Sequence, residues 1–207
     1  MARSDRQAHW QGVYTTKLEN EVSWFQECPD ISFEMIRTAG LAPGSAIVDI
    51  GGGASRLVDV LIADGFDVTV LDLSEAALSA ARLRLGDNAS LAQWIVADVT
   101  TWEPPHQYNL WHDRAAFHFL TEQTDRVAYV ARLKKALGPG GQAIIGTFAM
   151  DGPERCSGLP IMRYDAQRLG EALGDRFALI ETRSEEHRTP WHSTQRFQFS
   201  RFAFAGG

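Results

Sequence analysis

Ala46-Ile47-Val48-Asp49-Ile50-Gly51-Gly52-Gly53-Ala54-Ser55 reads as a short apolar strand that runs straight into a glycine turn. Glycine adopts backbone conformations that a Cβ opposes, and it lets the main chain approach a ligand closely. Beyond the turn, Leu57, Val58, Leu61 and Ile62 recur at helical spacing, with Ser55 placed to cap the helix. Gly65 closes that element, and Phe66-Asp67-Val68-Thr69-Val70-Leu71 reads as the next strand. Strand, tight turn, helix, strand is a βαβ unit, the crossover that parallel strands require. In an open parallel sheet, ligands bind beyond the carboxyl ends of the strands, where the loops diverge. The glycine turn falls at that place.

The alternation extends along the chain. Leu78 and Leu85 mark the following helix, and residues 91–97 a third strand. Residues 108–113 read as a strand and 120–137 as a helix, with Gly138-Pro139-Gly140-Gly141 as its stop. Residues 142–148 form a buried strand, 149–164 an irregular insertion, and 166–173 a short helix. The last strands, 177–184 and 194–204, have no helix-length segment between them, so they pair antiparallel. Ahead of the first strand, residues 1–17 are polar but carry Trp10, Val13 and Tyr14, which dock the segment onto the body. Residues 18–40 read as two short helices, one over 19–28 and one carrying Phe33, Ile36 and Ala39. The expectation is one domain over 1–207, with a helical cover at 1–40 and an α/β core at 46–204. Its sheet is mostly parallel, with helices on both faces.

Composition narrows the function. The 207 residues are 44% hydrophobic and 22% charged, a globular balance. Scaling predicts a folded surface of roughly 9,600 Å² and burial of about 70% of the unfolded surface, so no disulfide or metal staple is needed. The formal charge of −6 gives no general attraction to a phosphate backbone. Two cysteines make no disulfide framework and suggest a reducing cytoplasm. No apolar run suits a secretory signal or a membrane span.

Three acids follow three successive strands. Asp49 sits just before the glycine turn. Asp72, 23 residues later, ends the second strand, where a carboxylate accepts from both hydroxyls of an adenosine ribose. Asp98 follows the third strand and suits the exocyclic amine of adenine, with Val99 and Leu73 against the two ring faces. A dinucleotide fingerprint starting at Gly51 wants a third glycine where Arg56 stands. Asp49 is also costly beside a pyrophosphate and favourable beside an ammonium. The pattern therefore favours a cationic nucleoside cofactor. A nicotinamide-dependent oxidoreductase and a non-catalytic nucleotide-binding or protein-interaction module remain the alternatives.

With these residues in place, the chain over roughly 30–204 resembles the class I S-adenosylmethionine-dependent methyltransferases. Asp49 to Gly53, including Gly51 and Gly53, is similar to that family's first motif. Asp72 and Asp98 resemble its ribose- and adenine-binding acids, and Asn109 to Arg114, with Asp113, its fourth motif. Leu137-Gly138-Pro139-Gly140-Gly141 resembles the family's lead into the next strand. The resemblance implies a Rossmann-like, seven-stranded, mostly parallel sheet with one antiparallel strand near an edge. It also implies S-adenosyl-L-methionine as cofactor, and an N-terminal segment covering the methionine portion, with Tyr14, Lys17 and Trp24 as candidates.

Methyl transfer is an in-line displacement on a strong electrophile, so the protein mainly aligns, deprotonates where needed and excludes water. No metal is demanded, and there is no Cys-x-x-Cys or His-Glu-x-x-His pattern. Asp113 is the candidate for hydrogen bonding near the cofactor. His118 is either a base or a packed residue at a helix start, and strand alternation turns His112 away from Asp113. Arg56 pairs with Asp59 or another nearby acid. Arg155, Cys156 and Arg163 in the insertion, with His187, Arg188 and Trp191 in the last turn, are the candidate acceptor-binding set. They suit a small-molecule nucleophile with sulfur, oxygen, nitrogen or selenium as the methylated atom. A protein acceptor stays open. Nucleic acid ranks lower, because no basic arm or Asn-Pro-Pro-Tyr run is present.

Overall fold

In the computed structural model, which describes residues 3–206, six α-helices alternate with nine strands. Met1, Ala2 and Gly207, part of the expected 1–207 span, lie outside the described residues. The helices are α1 (Arg3–Thr16), α2 (Asp30–Arg37), α3 (Leu57–Ala63), α4 (Glu75–Leu85), α5 (Gln123–Ala136) and α6 (Ala166–Leu173). The strands are β1 (Ala46–Ile50), β2 (Asp67–Asp72), β3 (Ala92–Val96), β4 (Tyr108–Arg114), β5 (Leu137–Phe148), β6 (Arg155–Cys156), β7 (Leu159–Pro160), β8 (Phe177–Arg188) and β9 (Thr194–Phe204). Seven strands form one sheet in the order β3-β2-β1-β4-β5-β9-β8. The first five run parallel, and β9 pairs antiparallel with both β5 and β8. Among these seven, β9 alone is reversed, one place in from the edge, as the resemblance implies. The order turns around between β1 and β4, and the glycine turn leaves the sheet at that switch point.

The period of two along each strand sorts the core into two layers. Val48, Ile50, Trp111, Ile145 and Phe202 pack on one face with Tyr129 and Leu133 of α5 and Leu169 of α6. Ile47, Val70, Leu110, Ile144 and Phe199 pack on the other with Leu57, Val58 and Leu61 of α3 and Met35 and Ile36 of α2. The same parity places Asp49 and His112 on the α2–α3 face and Asp113 on the α5 face. Local signals start the helices: Ser74 Oγ accepts from Ala77 N at 3.2 Å, and Asp165 Oδ1 accepts from Arg168 N at 2.8 Å. Ser55 Oγ likewise accepts from Leu57 N at 3.2 Å ahead of α3.

Three expectations about local structure change. The segment read as a docked polar stretch is the 14-residue helix α1, which docks through Trp10 against Trp24 and Phe119 and through polar bonds of Arg6 and Gln11. The helix expected over 19–28 is a single 3₁₀ turn, Glu19–Glu21, after which the chain opens. There the indole N–H of Trp24 donates to the Tyr14 hydroxyl at 2.9 Å, tying the open stretch to α1. β8 runs on to Arg188, beyond residue 184, because its ladder with β9 continues to the Arg188–Thr194 pair. Within the insertion, β6 and β7 form a small hairpin, with Ser157 and Gly158 at φ 50° and 76° in its turn. Two left-handed central residues give the turn that matches strand twist.

Candidate active site

The carboxyl ends of β1 to β4, roofed by α1 and the chain around Trp24, enclose a cleft with two lobes. The first, about 850 Å³ and partly open to solvent, holds Asp72, Leu73, Asp98 and Val99. The second, about 580 Å³, holds Asp49, Gly52, Ser32 and His112. Tyr14, Trp24, Gly51 and Arg114 line both and form the neck between them.

Asp72 ends β2 at the floor of the first lobe. Its carboxylate accepts from Ser74 N at 2.8 Å, and from the backbone N–H groups of Leu73 and Gly53. Burial pushes this carboxyl up to about 7 against those bonds, with Asp49 adding to the rise. Gly53 has φ 50°, and a Cβ there would lie 3.1 Å from both Asp72 Oδ2 and the Tyr14 hydroxyl. Backbone thus reaches the carboxylate where a side chain would crowd it. Asp98 lines the far end of the lobe. Its Oδ1 accepts from Thr100 N and Oγ1, and its Oδ2 pairs with Arg6 at 3.0 Å. Arg6 also reaches Asp125 at 2.8 Å, so α1 is latched over that end. Gln11 adds a second tie, accepting from Ser74 Oγ and Ala76 N at 3.1 Å each.

In the second lobe, Asp49 Oδ1 lies 2.7 Å from His112 Nδ1, and His112 Nε2 lies 2.9 Å from Ser32 Oγ. The register of β1 and β4 sets Asp49 directly beside His112. The His112 ring thus bridges the Asp49 carboxylate and the Ser32 hydroxyl through its two nitrogens. His112 does turn away from Asp113, as expected, and that turn carries it to Asp49. Arg56 pairs with Glu19 at 2.9 Å and with Glu27, while Asp59 pairs with Arg84.

Several anticipated residues stand elsewhere. Lys17 is exposed just beyond α1 and is not among the residues lining either lobe. Asp113 is fully buried on the α5 face, where it accepts from Ala116 N, Phe117 N and, at 2.6 Å, the Tyr129 hydroxyl. Burial pushes this carboxyl up to about 6, and the bond from Tyr129 is the largest opposing influence. The expected contact between Asp113 and a cofactor is therefore corrected: strand parity points it into the core. His118 is fully buried behind the lobe wall between Phe119 and Phe148, and its Nδ1 accepts from Phe148 N at 3.3 Å. Desolvation, with Arg114 nearby, pushes the imidazole down to about 3. This placement follows the packed reading of His118.

The acceptor set divides. Cys156 is buried and lines the first lobe, its thiol pushed up to about 11 by burial. Arg155 bonds Gly158 O in its own hairpin, and Arg163 bonds Gly152 O and Glu154. His187 and Arg188 border a third, open depression that shares Phe25 and Gln26 with the second lobe, and Trp191 is exposed on the turn beyond. His187 Nε2 lies 2.7 Å from Ser23 O. Among the described residues, no group of three or more His, Cys, Asp or Glu side chains is arranged to hold a metal. Arg6, Trp10, Phe119, Phe197 and, most centrally, Arg114 line the first lobe without having been given a binding role from sequence, although Arg114 was expected to face the cleft and Trp10 to dock the N-terminal segment.

The Trp111 indole N–H donates to the Tyr129 hydroxyl at 2.7 Å, which donates onward to Asp113. Tyr129→Phe leaves both ends of this buried chain short of a partner. A stability loss of about 2–4 kcal/mol is expected by urea unfolding. Unchanged stability would mean that Asp113 is free of this duty.

Comparison with known proteins agrees with this geometry. Residues 47–141 match the sequence family described as a methyltransferase domain. A ubiquinone biosynthesis O-methyltransferase of Aromatoleum aromaticum is 32% identical over 114 residues, covering 54% of this chain and 47% of that protein. A probable thiol methyltransferase 2 of Arabidopsis thaliana is 30% identical, covering 61% of this chain and 55% of that protein. The chain thus spans about half the length of these curated relatives. In three dimensions it is similar to the Burkholderia thailandensis 1,6-didemethyltoxoflavin-N1-methyltransferase. The TM-score is 0.75 at 18% identity, with 99% of this chain and 91% of that one covered. The fold is the Rossmann-like one that class I S-adenosylmethionine-dependent methyltransferases share, and the methyltransferase-domain match runs from β1 through β4. S-adenosylmethionine fits the residues present: backbone rather than side chain fills the approach at Gly53, and an acid stands in each lobe. When bound, it supplies a methyl group on a sulfonium.

Proposed function

We propose that this protein transfers a methyl group from S-adenosylmethionine to a small-molecule nucleophile. The observation that carries the reading is the single cleft whose two lobes meet at Gly51, with Asp72 and Asp98 in one and Asp49 in the other. Asp72 takes the ribose hydroxyls and Asp98 the adenine amine, with Leu73 and Val99 against the base. Gly51 and Gly53 allow close backbone approach, and Asp49 offsets the ammonium of the amino-acid end. Tyr14 and Trp24 cover the junction. No role is assigned to Lys17 or Asp113 at the cofactor, and His118 serves packing.

The methylated atom is sulfur, oxygen, nitrogen or selenium on a small acceptor. Work in a reducing cytoplasm accords with two free cysteines, one exposed and one buried. No helix among the described residues is long and apolar enough to cross a membrane. The test is transfer of labelled methyl from S-adenosylmethionine across thiols, phenols, amines and carboxylates. Acceptor-dependent product with stoichiometric S-adenosylhomocysteine is expected. Folded, cofactor-binding protein that methylates nothing in a broad panel would favour a binding module instead.

A further inference from the structure

We propose that the acceptor of this reaction is a small, largely apolar molecule whose nucleophile reaches the neck of the cleft already anionic and is held there by Arg114. The inference rests on the methyl-transfer reading and names its substrate class. Arg114 follows Asp113 at the end of β4, with its side chain 12% exposed at the neck of the cleft. Its guanidinium carbon sits 4.5 Å from the centre of the Phe197 ring, and Nη1 donates to Trp24 O at 3.0 Å. Compensation of its charge is thin. Nη2 reaches Glu185 only at 3.5 Å, and the other oxygen of Glu185 is taken by Gln26 at 2.5 Å. Nε is buried without a partner.

The other ionisable groups facing this lobe are committed. Arg6 is neutralised by Asp98 and Asp125, and the Asp72 carboxylate is bound by backbone N–H groups at the ribose position. The Tyr14 hydroxyl is pushed above its ordinary value by burial and accepts from Trp24, and the Cys156 thiol is pushed up to about 11. Both stay protonated at neutral pH. His118 stands behind the wall with its Nδ1 engaged. Among the described residues lining the lobe, none is therefore placed as a base for the acceptor, and Arg114, held by one carboxylate at 3.5 Å, is the less tightly paired of the two arginines there. Around it, Trp10, Trp24, Phe119 and Phe197 form an aromatic wall that excludes a hydrated polar acceptor.

An apolar wall penalises an anion unless a cation meets it, and Arg114 supplies that cation. The same desolvation strengthens the attraction between an anionic nucleophile and a sulfonium. In the transfer, the nucleophile's lone pair makes the new bond to the methyl carbon. The carbon–sulfur bond breaks and its pair stays on sulfur. The anion leaves as a neutral methylated product, the sulfonium becomes a neutral thioether, and no proton moves.

The test uses the full-length protein saturated with S-adenosylhomocysteine, whose own affinity is first measured by calorimetry. Benzenesulfonate, an unreactive anion, and methyl phenyl sulfone, a neutral counterpart, are then titrated while tryptophan fluorescence is followed. Tighter binding of the sulfonate is expected, falling by at least about 10-fold in Arg114→Gln and largely restored in Arg114→Lys. With S-adenosylmethionine, the rates with thiophenol and benzyl mercaptan should each rise with pH along that thiol's own ionisation. Equal binding of the two probes, a sulfonate affinity indifferent to Arg114→Gln, or a pH profile shared by both thiols would overturn the proposal. Failure of wild-type protein to bind S-adenosylhomocysteine would instead remove the methyl-transfer reading, and this inference with it.

Discussion

Asp72→Ala is expected to weaken S-adenosylhomocysteine binding by about 100-fold, the loss of two charge-assisted hydrogen bonds to ribose at roughly 1.5 kcal/mol each. Burial holds this carboxyl near 7 in the ligand-free protein, within the physiological range. Hydroxyl donors favour the ionised form, so wild-type affinity should rise as pH climbs through about 7, with a proton released on binding below that point. The Ala variant should lose this pH dependence along with the affinity. The sign for stability is opposite. A carboxyl raised from 3.8 to about 7 on folding takes up a proton between those values, so its contribution declines as pH rises between them. The ceiling on that penalty at pH 8 is about 4 kcal/mol, and some of it persists as lost backbone bonds when the charge is removed. Ligand-free Asp72→Asn should therefore unfold at higher urea than wild type at pH 8, by about 2 kcal/mol, and match it more closely near pH 4. Calorimetry and urea titrations at the two pH values check both halves. A variant that binds as wild type does would remove Asp72 from the site.

Gly51→Ala should damage fold and site together. Gly51 has φ 66°, and a Cβ built there would lie 2.9 Å from the Cβ of Ala116. The left-handed conformation costs an L-residue about 1–2 kcal/mol, and overpacking adds about 1–3. A loss of about 2–5 kcal/mol in urea unfolding is expected on those terms. Relief is blocked because Gly51 N donates to Leu71 O at 2.7 Å, anchoring the turn to β2. Gly51 also forms the neck between the lobes, so protein that does fold should bind S-adenosylhomocysteine at least about 10-fold more weakly. Wild-type stability and binding in this variant would contradict the placement of the turn.

The sheet was legible because its strands advertise themselves: Ala46–Ile50 ends on glycine, and α6 matches the expected 166–173 span. The acids at 49, 72 and 98 were legible for the same reason, each closing or following a strand whose end lies at the switch point. Residues placed by strand parity were harder. Asp113 and Arg114 are neighbours in one motif, yet the first points into the core with Tyr129 and the second into the cleft. Only the register of β4 against β1, which pairs Asp49 with His112, separates them. The cover over 1–40 was expected, but the polar bonds that latch it were not. α1 is held by Arg6 and Gln11, and a helix anchored by polar bonds leaves little apolar periodicity to read. Of the acceptor residues near the last turn, His187 packs edge-on to Phe197 and bonds Ser23 O, whereas Trp191 lies exposed beyond the end of β8 at Arg188.

The central claim is that both lobes hold one adenosyl–amino-acid ligand across Gly51. Calorimetry with S-adenosylhomocysteine and with 5′-methylthioadenosine, which lacks the amino-acid arm, tests it most directly. The account predicts one site for each, with the arm strengthening binding by at least about 10-fold through the second lobe. Equal affinities, or no binding of either by folded protein, would contradict it.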